Sequence, residues 1–161
     1  MIHVQQTFNW GKMYQSVKQM IVSLTGMTVI QDSTIAQTPA FPFITVNPTG
    51  SITHELNANN PTNEPFTTIL SITVHSDSKL VALQAMDDLQ ANLREEENHY
   101  QLQQQGIVIV DVLNPGSRFT ALSVGYEHNY GFDLNIRLGR NFTSSTPIIS
   151  DVTNDNGKLN I

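Results

Sequence analysis

Five histidines, fourteen carboxylates and no cysteine are the groups with which this chain could do chemistry. The lack of cysteine removes disulfides, thiolate zinc sites and thiol nucleophiles. His3, His54, His75, His99 and His128 form no HxxxH, HExxH or HxH spacing, so a zinc or iron site would have to be gathered from distant segments without a thiolate. His75 and Asp77 are close in sequence, at a strand-to-helix turn where a helix cap beside a surface imidazole outweighs a base–acid pair. His128 falls on the apolar face of a long strand and reads as a hydrogen-bonded core or interface histidine. Asp87 and Asp88 are neighbours on a helix and point apart, which a glycosidase pair cannot do. Asp111 and Asp133 approach each other only if their strands pair; facing solvent, or an ion pair of Asp133 with Arg137, is the plainer expectation. Phosphate loops of the GxxxxGK[ST] or GxGxxG type and a GxSxG elbow are absent, and the basic residues Lys12, Lys18, Lys79, Arg94, Arg118, Arg137, Arg140 and Lys158 are scattered. The expectation is a chain with no catalytic residues, no metal and no cofactor.

Composition narrows the class further. The chain has 161 residues, enough for one domain that buries roughly 70% of its unfolded surface. Apolar residues make up 39% and charged ones only 14%, the balance being filled by Asn, Gln, Ser and Thr, which excludes a highly charged disordered chain. A net charge of −6 repels phosphates on average, so wrapping of bare nucleic acid is not expected. The start, Met1-Ile2-His3-Val4-Gln5-Gln6, lacks a basic and then apolar leader pattern, and the run Ile107-Val108-Ile109-Val110 is far short of the ~20 residues that span a bilayer. Folding in a cytosol with no membrane contact is expected.

The elements that must position these groups follow from periodicity. Trp10, Met13, Tyr14, Val17, Met20, Ile21 and Leu24 recur at three- and four-residue steps and predict a helix capped by Asn9, stapled by Phe8 and Met13, and stopped at Gly26. Met27–Ile30 and Phe41–Val46 read as strands, the second with Pro42 at its start. Asn47-Pro48-Thr49-Gly50 reads as a turn, with Gly50–Leu56 as the returning strand. Residues 57–65, Asn-Ala-Asn-Asn-Pro-Thr-Asn-Glu-Pro, form a polar loop of a length that tends to bind something. Phe66–His75 alternates, with Phe66, Thr68, Leu70, Ile72 and Val74 on one face. A second helix runs from Ser78 to Arg94 on the stripe Ala82, Met86, Leu89 and Leu93. Glu95-Glu96-Glu97 opposes a helix C-terminal dipole, so a break near Arg94–Glu97 and a short helix ending at Gly106 are expected. Gly106–Leu113 reads as a buried strand ended by Asn114-Pro115-Gly116, and Tyr126–Leu138 as the longest strand, with Gly131 as a bend or bulge. The pattern is lost from Asn141, giving a domain at 1–140 and an arm at 141–161. The fold class is α+β: a two-layer sandwich, a mainly antiparallel sheet of four to five strands with two main helices on one face.

The order of these patterns resembles the phage neck and tail terminator proteins of long-tailed bacterial viruses. The resemblance rests on the amphipathic opening helix and the proline–aromatic strand entry Phe41-Pro42-Phe43-Ile44-Thr45-Val46. It also rests on Thr68–Val74 running into the helix Ser78–Arg94, and on Gln105–Val112 following a broken helix. Gly125-Tyr126-Glu127-His128 leading to Phe132–Arg137 and a polar tail completes it. The resemblance implies a structural virion protein: a homo-oligomer closing into a hexameric ring that caps the tail tube protein, stops its polymerisation and joins the head connector. It would be assembled in the host cytoplasm and reside in the neck, with DNA passing through the bore and no specific nucleic-acid site. On that reading the contact residues are expected at Asn57, Asn60 and Glu64, at Arg137 and Arg140, and in the arm at Asn141 and Phe142. The competing class is a small regulatory or ligand-binding α+β module forming a closed dimer.

Overall fold

The computed structural model describes residues 6–31, 38–55, 63–118 and 127–141, with the backbone of Thr153–Asn154 and Gly157–Lys158. Helix α1 spans Trp10–Thr25. The Asn9 side chain accepts from the Lys12 N–H at 2.9 Å, and Gly26 ends the helix in the left-handed conformation (φ 68°), donating to the Val22 carbonyl. Its periodic residues Met13, Tyr14, Val17, Met20 and Ile21 are buried, each stabilising the fold by about 1.5–3 kcal/mol relative to exposure for the aliphatic members. Burial pushes the Tyr14 phenol above its ordinary value, so it is neutral wherever the fold is stable.

Five strands follow in one sheet: β1 (Thr28–Ile30), β2 (Phe43–His54), β3 (Asn63–Ser76), β4 (Val108–Ser117) and β5 (His128–Asn141). Their order is β1-β2-β3-β5-β4, with β1 parallel to β2 and every other pairing antiparallel. Helices α1 and α2 (Lys79–Leu93) cover one face, where Ile44, Val46, Phe66, Leu70, Ile72, Val74, Phe132, Leu134 and Ile136 form the core. The short α3 (Glu96–Gln104) starts where three acids favour a helix beginning, and contributes Leu102 to the core. A two-stranded hairpin, β6 (Thr153–Asn154) with β7 (Gly157–Lys158), lies in the C-terminal stretch. The α+β sandwich with helices on one face is the class expected from the sequence.

Three local readings need correction. Asn47-Pro48-Thr49-Gly50 is not a hairpin turn: β2 passes through it with Gly50 in the left-handed region (φ 75°), and of the expected Gly50–Leu56 strand, Gly50–His54 continues β2 beside β3 rather than returning along Phe41–Val46. The price is a register irregularity between Pro48 and Ile52, where proline has no N–H to give the ladder. Residues 63–65, expected in the loop, already belong to β3. Strand β4 likewise passes Asn114-Pro115-Gly116, with irregularities at Ile109/Asp111 and Leu113/Gly116. It is an edge strand, with Ile109 its only buried residue, rather than a buried one. Strand β5 runs over 14 residues, about 46 Å of extended chain, and keeps the predicted alternation from Phe132 to Leu138; before it the phase is reversed, with Asn129 and Gly131 buried and His128 and Tyr130 half-buried.

Candidate functional site

Strand register builds the most polar cluster that is also buried. Pairing of Phe43 with His75 places the neighbouring Thr45 hydroxyl 2.9 Å from His75 Nε2. On the other ring nitrogen, Nδ1 lies 2.7 Å from Glu127 Oε1. A carboxylate only accepts, so Nδ1 carries the proton and donates; in the neutral ring Nε2 then accepts from the Thr45 hydroxyl. Hydroxyl, imidazole and carboxylate in sequence match the layout of a nucleophilic triad. The surroundings do not: Thr45 is 4% exposed and His75 5%, and the Phe43 ring stacks on the imidazole at 4.7 Å, itself stacked on Phe41. A hydroxyl sealed under an aromatic stack has no route to a substrate, and the relay fixes the unhelixed face of the sheet instead. The expected surface imidazole beside Asp77 is therefore corrected: His75 is buried, its carboxylate partner is Glu127, and Asp77 is exposed. His75→Ala is expected to destabilise the fold by about 2–4 kcal/mol, since it removes the buried ring that Phe43 stacks on and that joins the Thr45 hydroxyl to the Glu127 carboxylate. In a denaturant double-mutant cycle, Glu127→Ala should then add much less than it costs alone; strict additivity would show that the two side chains are not coupled.

The residues expected to make contacts gather at the far end of the sheet, but not as one patch. Arg137 and Arg140 are an odd number of residues apart on one strand, so they leave opposite faces. Arg137 Nε donates to Glu55 Oε1 at 2.9 Å on the open face. Arg140 lies on the helix side, donating to Thr7 Oγ1 at 2.8 Å with its guanidinium 4.6 Å above the Phe66 ring. The small arginine patch is thus two separate anchors. Glu64 pairs across the hairpin with His54 at 2.6 Å, and the Asn141 N–H donates to the Thr7 carbonyl. Asn57, Asn60 and Phe142 lie outside the described residues. Asp133 and Asp111 do not meet, and Asp133 does not take Arg137: Asp133 accepts from Arg118 at 3.1 Å and Asn114 at 3.0 Å, while Asp111 caps the Val112 N–H at the β4 bulge. Among the described residues no group of three His, Asp or Glu side chains is placed to hold a metal ion.

Two clefts open on the helix side. One, of about 370 Å³, is polar and lies where Asn9, Lys12 and Ser16 of the α1 start face Asn63, Gln105 and Asn141. The other, of about 530 Å³, lies at the opposite end of α1, where Leu24 and Met27 face Leu80, Val81, Ala85 and Leu89 of α2. The α2 stripe Ala82, Met86, Leu89 and Leu93 is spent on the core, which leaves Leu80 75% exposed, with Val81 and Leu83 also outside. Sequence periodicity named the stripe but gave no reason for the apolar residues flanking it. On the same helical layer Asp87, Asp88, Glu95, Glu96 and Glu97 are exposed. No helix among the described residues is long and apolar enough to cross a membrane.

No curated protein matches the chain. The family model described as phage neck terminator protein matches residues 12–159, from the first turn of α1 to the end of the C-terminal hairpin. The five-stranded sheet, the opening helix from Lys12 onward, the broken helix pair and the long strand β5 fall inside that range, and the chain belongs to the phage neck terminator protein family.

Proposed function

We propose that the chain is the subunit of a hexameric ring that caps the head-proximal end of the tail tube, stops its growth and links it to the head connector. Family membership across residues 12–159 carries this reading. The family is one of structural neck components, which makes the protein a virion neck protein rather than a member of an enzyme class. The distribution of surfaces supports the finer statement. A polar end with Glu64, Arg140 and Asn141 lies at one extreme of the molecule, and an apolar groove lies at the other. Unlike faces meet head to tail, and such heterologous contacts close into rings. Asn57, Asn60, Glu64, Arg137, Arg140, Asn141 and Phe142 are the proposed contacts with the next subunit, the tube protein or the connector, and 141–161 the arm that follows the domain. The net charge of −6 suits a bore through which DNA slides, since acids repel phosphates instead of trapping them. The test adds purified protein to growing tubes of the same virus's tail tube protein, with native mass measurement alongside. A six-subunit mass and tubes arrested with a ring at one end are expected; a species that stays monomeric and leaves tube growth unchanged refutes the proposal.

A further inference from the structure

We infer that the apolar groove between the end of α1 and the outer side of α2, from Leu80 to Asn92, seats the Pro147-Ile148-Ile149 run of a neighbouring copy, so that the ring is locked by exchanged arms. This rests on the ring reading above and names where one of its contacts is made. The groove needs an occupant: Leu80 is 75% exposed beside Val81, Leu24 and Met27, an unusual cost for a small acidic subunit. The chain beyond β5 holds a matching group, because Pro147-Ile148-Ile149 is an apolar run between Thr143-Ser144-Ser145-Thr146 and Ser150-Asp151. Its proline also restricts the run to extended conformations, lowering the entropy lost on docking.

Reach decides between a subunit's own arm and its neighbour's. Strand β5 ends at Asn141, bonded to Thr7 just before α1, while the groove lies at the last turn of that helix, beside Leu24 and Thr25. The helix has 16 residues, about 24 Å. From Asn141 to Ile149 the chain extends at most about 27 Å. A subunit's own arm would have to run almost fully stretched and straight along α1, leaving only its last residue or two to enter the groove. A neighbour's arm arrives from outside, and a subunit that gives its arm at one end and receives one at the other propagates head to tail.

The chain has no cysteine, so an engineered pair reports only on itself. In the full-length Gln84→Cys/Ile149→Cys protein, Gln84 being exposed on the groove wall, mild oxidation is expected to give disulfide-linked dimers and higher multimers on a denaturing gel. Adding Leu80→Asp, a surface change the fold tolerates, should lower the linked yield about tenfold by setting a carboxylate against the aliphatic run. Linkage confined within single chains, absence of linkage, or a yield indifferent to Leu80→Asp overturns the inference. Native mass of the cysteine-free chain reads the ring separately. A ring that persists with no linkage removes the exchanged arm and leaves the terminator reading standing, whereas multimers linked through the groove without a six-subunit species support the seat and count against the hexamer.

Discussion

A Phe66→Ala chain is expected to be about 3–5 kcal/mol less stable than the parent. Phe66 is fully buried on β3, yet it is packed from the side of the N-terminal segment: Phe8 meets it edge-on at 5.2 Å, Trp10 at 5.9 Å, and Arg140 lies over its ring at 4.6 Å. Alanine opens a cavity beneath three large side chains that are anchored partly on one another, Phe8 and Trp10 being 5.1 Å apart. The damage should therefore reach beyond β3 and loosen the first turns of α1. Denaturant melts measure the total, and amide exchange of Lys12 to Ser16 locates it. A loss under 1 kcal/mol, or exchange unchanged in α1, would show that the segment before the helix is held some other way. Tyr100, 57% exposed on α3, is the matched control, since its removal should change stability by no more than about 0.5 kcal/mol.

The second large effect comes from the smallest side chain. Gly131→Ala is expected to cost about 4 kcal/mol or more, and to yield mostly insoluble protein. Gly131 pairs with Thr73 in mid-sheet, and a Cβ built there would sit 2.2 Å from the Ile72 carbonyl oxygen and 3.0 Å from Thr73 Cα. Both obstacles are backbone, so no rotamer change relieves them, and β5 would have to part from β3 at the centre of the ladder. At Gly11, by contrast, a Cβ meets only Asn9 Oδ1 at 3.6 Å, an ordinary contact. Gly11→Ala should leave the melting midpoint unchanged or slightly raised. Equal tolerance at both positions would mean that the close approach at Gly131 does not exist in solution.

Periodicity made much of this architecture readable, and it failed where neighbours in space decide. Helix α1, the alternation of β3 and β5 and the break before Glu96 are properties of short windows, and each carries its own cap, stripe or charge signal. Asn47-Pro48-Thr49-Gly50 and Asn114-Pro115-Gly116 have turn chemistry, but β3 and β5 keep them in the sheet as bulges, with Gly50 (φ 75°) and Asn114 (φ 49°) in the left-handed region and the register slipped. Tertiary pairing overrode local preference there. By sequence His75 reads as a surface imidazole beside the cap of the next helix; its partners Thr45 and Glu127 are 30 and 52 residues away and become visible only in the folded sheet. The separation of Arg137 from Arg140 was available from the two-residue repeat of a strand and did not require coordinates. Among the expected contact residues, Glu64, Arg137, Arg140 and Asn141 do share one end of the sheet, because β3 and β5 pair from Asn63 opposite Asn141 to Ser76 opposite His128.

The irregular outer strands have one more consequence. Strand β1 covers only Phe43–Thr45, so among the described residues the rest of β2 forms one rim of the sheet and β4 the other. Slipped register interrupts β2 after Pro48, and β4 at Ile109/Asp111 and again before Gly116. Neither rim presents the even row of donors and acceptors on which another polypeptide could add strand by strand into a fibril, so a pool of these molecules is steered away from endless growth of that kind.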